Sequence, residues 1–251
     1  MGKLDGRVAV VTGGGKGLGR AFCTGLAAEG AKVLAVTRKD LQGLEETIRQ
    51  VREAGGEGEF LRVDVTSQAD TEKMAGYALE RFGRIDILIN NAAFYGGLKR
   101  MNFYEISEEE WDNLMNVNIK GIWQSVKAVF PHMRRQGKGK IVNMTSEVFF
   151  TGSHGFVHYV ASKGAVVGIT RALAVELGPH NICINAVAPG FTDTEGSRSI
   201  ADVNKYDTSK TPLRRLGTAE DIVGAAVFLS SDGADFITGQ TILVDGGRAM
   251  H

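Results

Sequence analysis

The chain has 251 residues, of which 43% are apolar and 23% charged, the proportions of a soluble globular protein. Its 29 basic residues balance 29 acidic ones, so no net charge calls for nucleic acid or an anionic membrane as a partner. The 33 glycines against four prolines point to close backbone approaches, and no apolar run nears the roughly 18 residues of a membrane span. Cys23 and Cys183 cannot build a disulfide framework and read as small core residues. With no secretory profile after Met1, they imply a reducing cytoplasm.

Val8 to Thr12 is apolar on both faces, the pattern of a central parallel strand. A glycine-rich turn then opens a helix expected over Gly17 to Gly30. Further strands are expected over Lys32 to Thr37, Glu59 to Val63, Asp86 to Asn90 and Lys140 to Thr145. Two more follow, Ile182 to Val187 and Gln240 to Val244. Helical patterns over Asp40 to Ala54 and Ala69 to Phe82 separate the early strands. Strands alternating with helices of this length imply right-handed crossovers, hence an α/β fold with one doubly wound parallel sheet. No linker or composition break divides residues 1–251, which predicts one domain.

Ser107-Glu108-Glu109-Glu110 is a capping box. From it Trp111, Leu114, Met115, Asn118, Ile122 and Val129 recur at helical spacing, which puts the polar Asn118 on a buried stripe. Arg134, Arg135, Lys138 and Lys140 follow as a basic cluster, read as a solvated face complementing the helix dipole. A later helix runs from about Tyr159 to Leu177 and stops at Gly178-Pro179. Tyr159 and Lys163, four apart, share one of its faces. The irregular stretch over residues 191–212 reads as a substrate lid.

The segment Thr12-Gly13-Gly14-Gly15-Lys16-Gly17-Leu18-Gly19 joins the first strand to the first helix. Glycines there let backbone N–H groups approach a pyrophosphate at a helix N-terminus. Alone, such a cluster would equally suit a flexible turn; its place after the first strand favours a nucleotide. The spacing is T-G-x-x-x-G-x-G. Asp64-Val65, Asn90-Asn91-Ala92-Ala93, Asn118, Ser146, Tyr159-x-x-x-Lys163, Pro189-Gly190 with Thr194, and Val244-Asp245-Gly246-Gly247 follow in order. Ser146 stands thirteen residues before Tyr159. In this series the sequence resembles the short-chain dehydrogenase/reductase family, in its single-domain form, over its whole length. The resemblance implies a Rossmann-type sheet of seven strands with helices on both faces.

It also implies an enzyme that interconverts a carbonyl and a secondary alcohol by hydride exchange with a nicotinamide cofactor. In the family's pattern Tyr159 is the general acid/base, and Lys163 binds the nicotinamide ribose. Ser146 bonds the substrate oxygen, and Asn118 holds a water leading from Lys163 to solvent. Chemistry supports that assignment. Tyrosine titrates near pH 10, and an ammonium one helical turn away is expected to lower that value. Gly13, Gly15, Lys16, Gly17, Leu18 and Gly19 would cradle the pyrophosphate. Asp64, Val65, Asn91 and Ala92 would line the adenosine side, with Pro189, Gly190, Thr192 and Thr194 toward the nicotinamide. Thr37 stands where an acidic residue would bind the ribose hydroxyls and repel a 2′-phosphate. A neutral Thr37 followed by Arg38, with Lys16 nearby, favours NADP(H) over NAD(H).

Phe94, Tyr95, Val148, Phe149, Phe156 and Phe191 follow these motifs and are expected to border a pocket for a small apolar or aromatic ketone or alcohol. Glu147 is read as turned to solvent. His154 and His158, four apart, lack a third ligand at a convincing interval, so no metal is expected, and both are read as pocket-lining loop residues. The run Phe236 to Thr241, with the terminal His251, resembles the family's bacterial alcohol dehydrogenases. Thr37-Arg38 and Leu177 to His180 are closer to its NADP-linked carbonyl reductases. Two other readings stay open. One is a 3-oxoacyl-(acyl-carrier-protein) reductase, disfavoured by Gly137 and His180 where such relatives carry arginines. The other is a non-catalytic nucleotide sensor, which would have no need of Ser146, Tyr159 and Lys163 together. A homotetramer is expected by resemblance.

Overall fold

A computed structural model describes residues 2–250; Met1 and His251, both used in the sequence reading, lie outside them. The chain runs β1 (Val8–Thr12), α1 (Gly17–Ala28), β2 (Lys32–Thr37), α2 (Leu41–Glu53), β3 (Gly58–Arg62), α3 (Gln68–Phe82) and β4 (Ile87–Asn90). It continues through α4 (Glu108–Met115), α5 (Gly121–Gln136), β5 (Gly139–Met144), α6 (Val148–Thr151), α7 (Val157–Leu177) and β6 (Ile182–Pro189). The short α8 (Glu195–Arg198), α9 (Ala219–Ser230) and β7 (Thr241–Val244) complete it.

All seven strands are parallel, in the order β3-β2-β1-β4-β5-β6-β7. Strand order reverses between β1 and β4, and such a switch point opens a crevice at the carboxyl ends of the strands. The expected Rossmann-type sheet is therefore the one observed, with bounds shifted by a residue or two. On one face Phe22, Leu26, Leu44, Ile48 and Ile222 of α1, α2 and α9 are buried together. Met74, Val126, Val129 and Val166 of α3, α5 and α7 cover the other. Each such fully buried aliphatic or aromatic side chain contributes about 1.5–3 kcal/mol. Cys23 and Cys183 are both buried and free.

Three expectations need correction. The helix from Ser107 is not continuous: a π-turn over Asn116–Lys120 separates α4 from α5, and Asn118 sits buried within it. Trp111, placed on the buried stripe, is 37% exposed instead, and Leu114 is the buried residue of α4. The basic cluster is not wholly solvated. Lys140 is 1% exposed, donates to the Ala234 carbonyl at 2.9 Å and pairs with Asp235 at 2.8 Å. Burial of an ammonium is tolerable only with such partners.

Candidate active site

A cleft of about 960 Å³ runs along the carboxyl ends of the sheet. The turn after β1 forms one end. Gly13 and Gly17 have φ of 67° and 51°, values that glycine alone adopts without strain. A Cβ on Gly19 would fall 1.9 Å from the Gly13 carbonyl oxygen, so the helix start is held against the turn. Asn91 braces the same turn, its Nδ2 donating to the Thr12 and Gly13 carbonyls at 3.0 and 3.2 Å. Thr12 Oγ1 in turn accepts from the Asn91 and Ala92 amides, each at 3.0 Å. α1 begins at Lys16 with no capping side chain and no acidic residue in its first turn. Its unpaired N–H groups and positive dipole end therefore face the cleft uncompensated.

Gly13, Gly15, Lys16, Gly17, Leu18, Gly19, Thr37, Arg38, Asp64, Val65, Asn91 and Ala92 all line this half. Lys16 and Arg38 are exposed, and Arg38 Nη1 lies 3.3 Å from Asp64 Oδ2. Against partial burial, bonds from Thr66 and Arg38 hold the Asp64 carboxyl below its ordinary range. Pro189, Gly190, Thr192 and Thr194 line the far side; Thr194 caps α8 by accepting from the Ser197 amide at 3.2 Å.

Ser146, Tyr159 and Lys163 meet in the cleft at the ends of β5 and α7. A polar chain fixes α7 on the sheet: Asn90 Nδ2 donates to Asn143 at 2.8 Å, and Asn143 Nδ2 to Thr170 at 2.9 Å. Lys163 is tied twice to the β5 end. Its Nζ donates to the Met144 carbonyl at 2.8 Å, and its own carbonyl accepts from Thr145 Oγ1 at 2.7 Å. Burial pulls the Lys163 ammonium down to about 8. Burial also pushes the Tyr159 phenol well above its ordinary value, aided by Tyr95; the Ser146 hydroxyl acts the other way, and Glu147 raises it further. This reverses the expected lowering: Lys163 Nζ lies 5.5 Å from the Tyr159 ring centroid and points to Met144. The site thus holds Tyr159 as a protonated phenol.

Asn118 does not line the cleft but stands behind it. Its Oδ1 accepts from the Phe94 amide at 2.7 Å and its Nδ2 donates to Ser162 at 3.0 Å, locking the chain after β4 to α7. Phe94, Tyr95, Val148, Phe156 and Phe191 line the cleft. Tyr95 packs tilted against Tyr159, ring centroids 5.3 Å apart, and Phe191 stacks at 4.2 Å on Tyr206. Phe149 does not: α6 turns it outward, 40% exposed, against Gly164 of α7. Glu147 does not face solvent. It is 4% exposed, accepts from Thr151 Oγ1 at 2.7 Å and lies 3.6 Å from Arg248. His154 lines the cleft, whereas His158 is fully buried, 3.0 Å from Glu110. Among the described residues no His, Cys, Asp and Glu cluster could hold a metal, and no helix is long and apolar enough to cross a membrane.

Sequence reading missed Tyr206 and Arg248, both in the cleft wall. Arg248 comes directly after the quoted Val244 to Gly247 motif. A basic residue at the carboxyl end of a parallel strand, where ligands bind, was a usable signal.

A family model described as enoyl-(acyl carrier protein) reductase matches residues 13–249. The chain is 40% identical over 251 residues to the short-chain reductase protein NovJ of Streptomyces niveus, covering 96% of this chain and 93% of that one. It is 35% identical over 251 residues to the 3-oxoacyl-(acyl-carrier-protein) reductase FabG of Thermotoga maritima, covering 99% and 100%. The crystal structure of levodione reductase superposes with a TM-score of 0.90 at 34% identity, covering 98% of each chain.

Proposed function

The chain belongs to the short-chain dehydrogenase/reductase family, and on that premise we propose that it is an NADP-linked reductase of small ketones with apolar or aromatic bodies. The observation that carries this reading is the convergence of Ser146, Tyr159 and Lys163 in one cleft with an uncapped, glycine-framed helix start. That helix start fits a dinucleotide, because its unpaired amides suit a pyrophosphate. Gly15 to Gly19 would hold the pyrophosphate, Asp64, Val65 and Ala92 the adenosine, and Lys163 with Thr192 and Thr194 the nicotinamide half. The bound dinucleotide supplies the hydride equivalent that turns the carbonyl carbon into a carbinol.

Every other step belongs to the chain. Ser146 Oγ bonds the substrate oxygen and orients it. Tyr159 Oη gives that oxygen its proton, a task suited to a phenol that burial keeps protonated. Lys163 stands next to it as the proton store, and residues 191–212 form a lid that keeps water out. Asn118 positions α7, and in the family's pattern it also holds the water that reconnects Lys163 to solvent.

The test follows NADPH consumption over ketones graded in size and aromatic content, with a 3-oxoacyl thioester as one member. Turnover of a free aromatic or alicyclic ketone is expected; no turnover of any member with cofactor binding intact overturns the reading. Preference for the thioester would move the assignment to carrier-bound acyl substrates, which the name of the Thermotoga maritima relative favours. The pH profile follows from Lys163. Its ammonium is protonated below about 8, so reduction should hold on the acidic side and fall as pH rises through that value. A reduction rate that rises through about 8 contradicts the relay.

The proposal includes a homotetramer and, from two buried free thiols, a reducing cytoplasm. Trp123 and Val157 leave apolar surface on α5 and α7, and Phe236 is fully exposed before β7, surface that a partner copy would cover. Sedimentation at micromolar concentration should give a tetramer; a lone 26.9 kDa species refutes it.

A further inference from the structure

Arg248 takes no part in the steps above, yet it stands in the cleft with Ser146 and Tyr159. Gly246 and Gly247, at φ of 68° and 87°, turn the chain leaving β7 back toward the strand ends. Asp245 pins that turn by accepting from the Gly247 and Ala249 amides at 2.9 and 2.7 Å. The Arg248 side chain is only 24% exposed. Its Nη1 is buried and has no acceptor among the described residues. Leaving a buried donor of a charged group unmade is costly, and such a group calls for a partner.

Glu147 does not supply that partner. Its nearest approach is 3.6 Å to Nε, and its other oxygen is taken by Thr151. Arg100, Lys210 and Asp207 line the same cleft, and Asp245 lies in the turn that carries Arg248. Tyr206 lies under the guanidinium, 5.7 Å from Cζ, and continues the apolar wall through its stack on Phe191. Arg248 is thus one side chain from the residue that follows Ser146.

Resting on the oxidoreductase reading, we propose that Arg248 is a specificity-determining residue that takes a carboxylate of the substrate. The substrate class is then an oxo acid with an apolar or aromatic body, or the hydroxy acid formed from it. The guanidinium forks onto the carboxylate while the carbonyl meets Tyr159 and Ser146.

The test compares kcat/KM for an aromatic oxo acid with that for its neutral amide. Wild type is expected to favour the acid by roughly tenfold or more. Arg248→Met should bring the ratio near one, and Arg248→Lys should leave an intermediate value because an ammonium lacks the fork. Glu147→Gln removes the neighbouring carboxylate and should raise the ratio. A wild-type ratio at or below one overturns the proposal, as does an unchanged ratio in Arg248→Met. Should Arg248→Met fail to fold, a ratio that stays or falls in Glu147→Gln overturns it instead. Turnover of both compounds without discrimination sinks this inference alone. Turnover of neither, nor of any neutral ketone, sinks the oxidoreductase reading and this proposal with it.

Discussion

NADPH is expected to support turnover with a kcat/KM about 10- to 10³-fold above that of NADH at low salt. The expectation rests on charge at two positions at the adenosine end of the cleft. Lys16 projects from the glycine turn and Arg38 from the end of β2, both exposed and both lining the cleft. Thr37 leaves the ribose position without a carboxylate. A charge-assisted bond to a 2′-phosphate is worth about 1.5–3 kcal/mol, and each tenfold in preference needs about 1.4. Two such bonds would exceed the range given, but exposure discounts them. Arg38 must also exchange its 3.3 Å contact with Asp64 for the phosphate. Raising ionic strength should shrink the preference, because the phosphate would lie close to solvent. Replacing Thr37 with Asp and Arg38 with Ala should reverse it, by adding repulsion and deleting attraction. Equal or better use of NADH by the wild type at low salt would mean that both cations merely face solvent.

What the sequence discloses and what it hides divide along a physical line. Parallel strands buried on both faces are nearly unbroken apolar runs, so β1, β2 and β4 can be read directly. Motif residues at strand ends are legible for a related reason: in such a sheet every carboxyl end faces the same crevice. Contacts made at long range are not legible. Lys140 looks solvated until Ala234 and Asp235, more than ninety residues on, close over it. Glu147 follows the same rule, since only the fold brings Arg248 to it. Within the π-turn, Asn118 makes side-chain bonds to the Phe94 amide and to Ser162 that no local pattern encodes. Phe149 misled through proximity in sequence: three residues from Ser146, it is carried outward by one turn of α6.

The largest single effect is expected at Tyr159. Tyr159→Phe removes one hydroxyl and almost no volume, so the aromatic contact with Tyr95 at 5.3 Å and the packing of α7 remain. What disappears is the proton donor beside Ser146. General acid catalysis of this kind contributes about 10²- to 10⁴-fold. The decisive measurement is therefore made on the Tyr159→Phe protein, with NADPH binding followed by fluorescence and ketone reduction by NADPH consumption in the same preparation. Binding close to wild type with turnover lower by at least about 10²-fold is the predicted result. Turnover within about threefold of wild type would contradict the assignment of Tyr159 as the acid on which the proposed reaction depends.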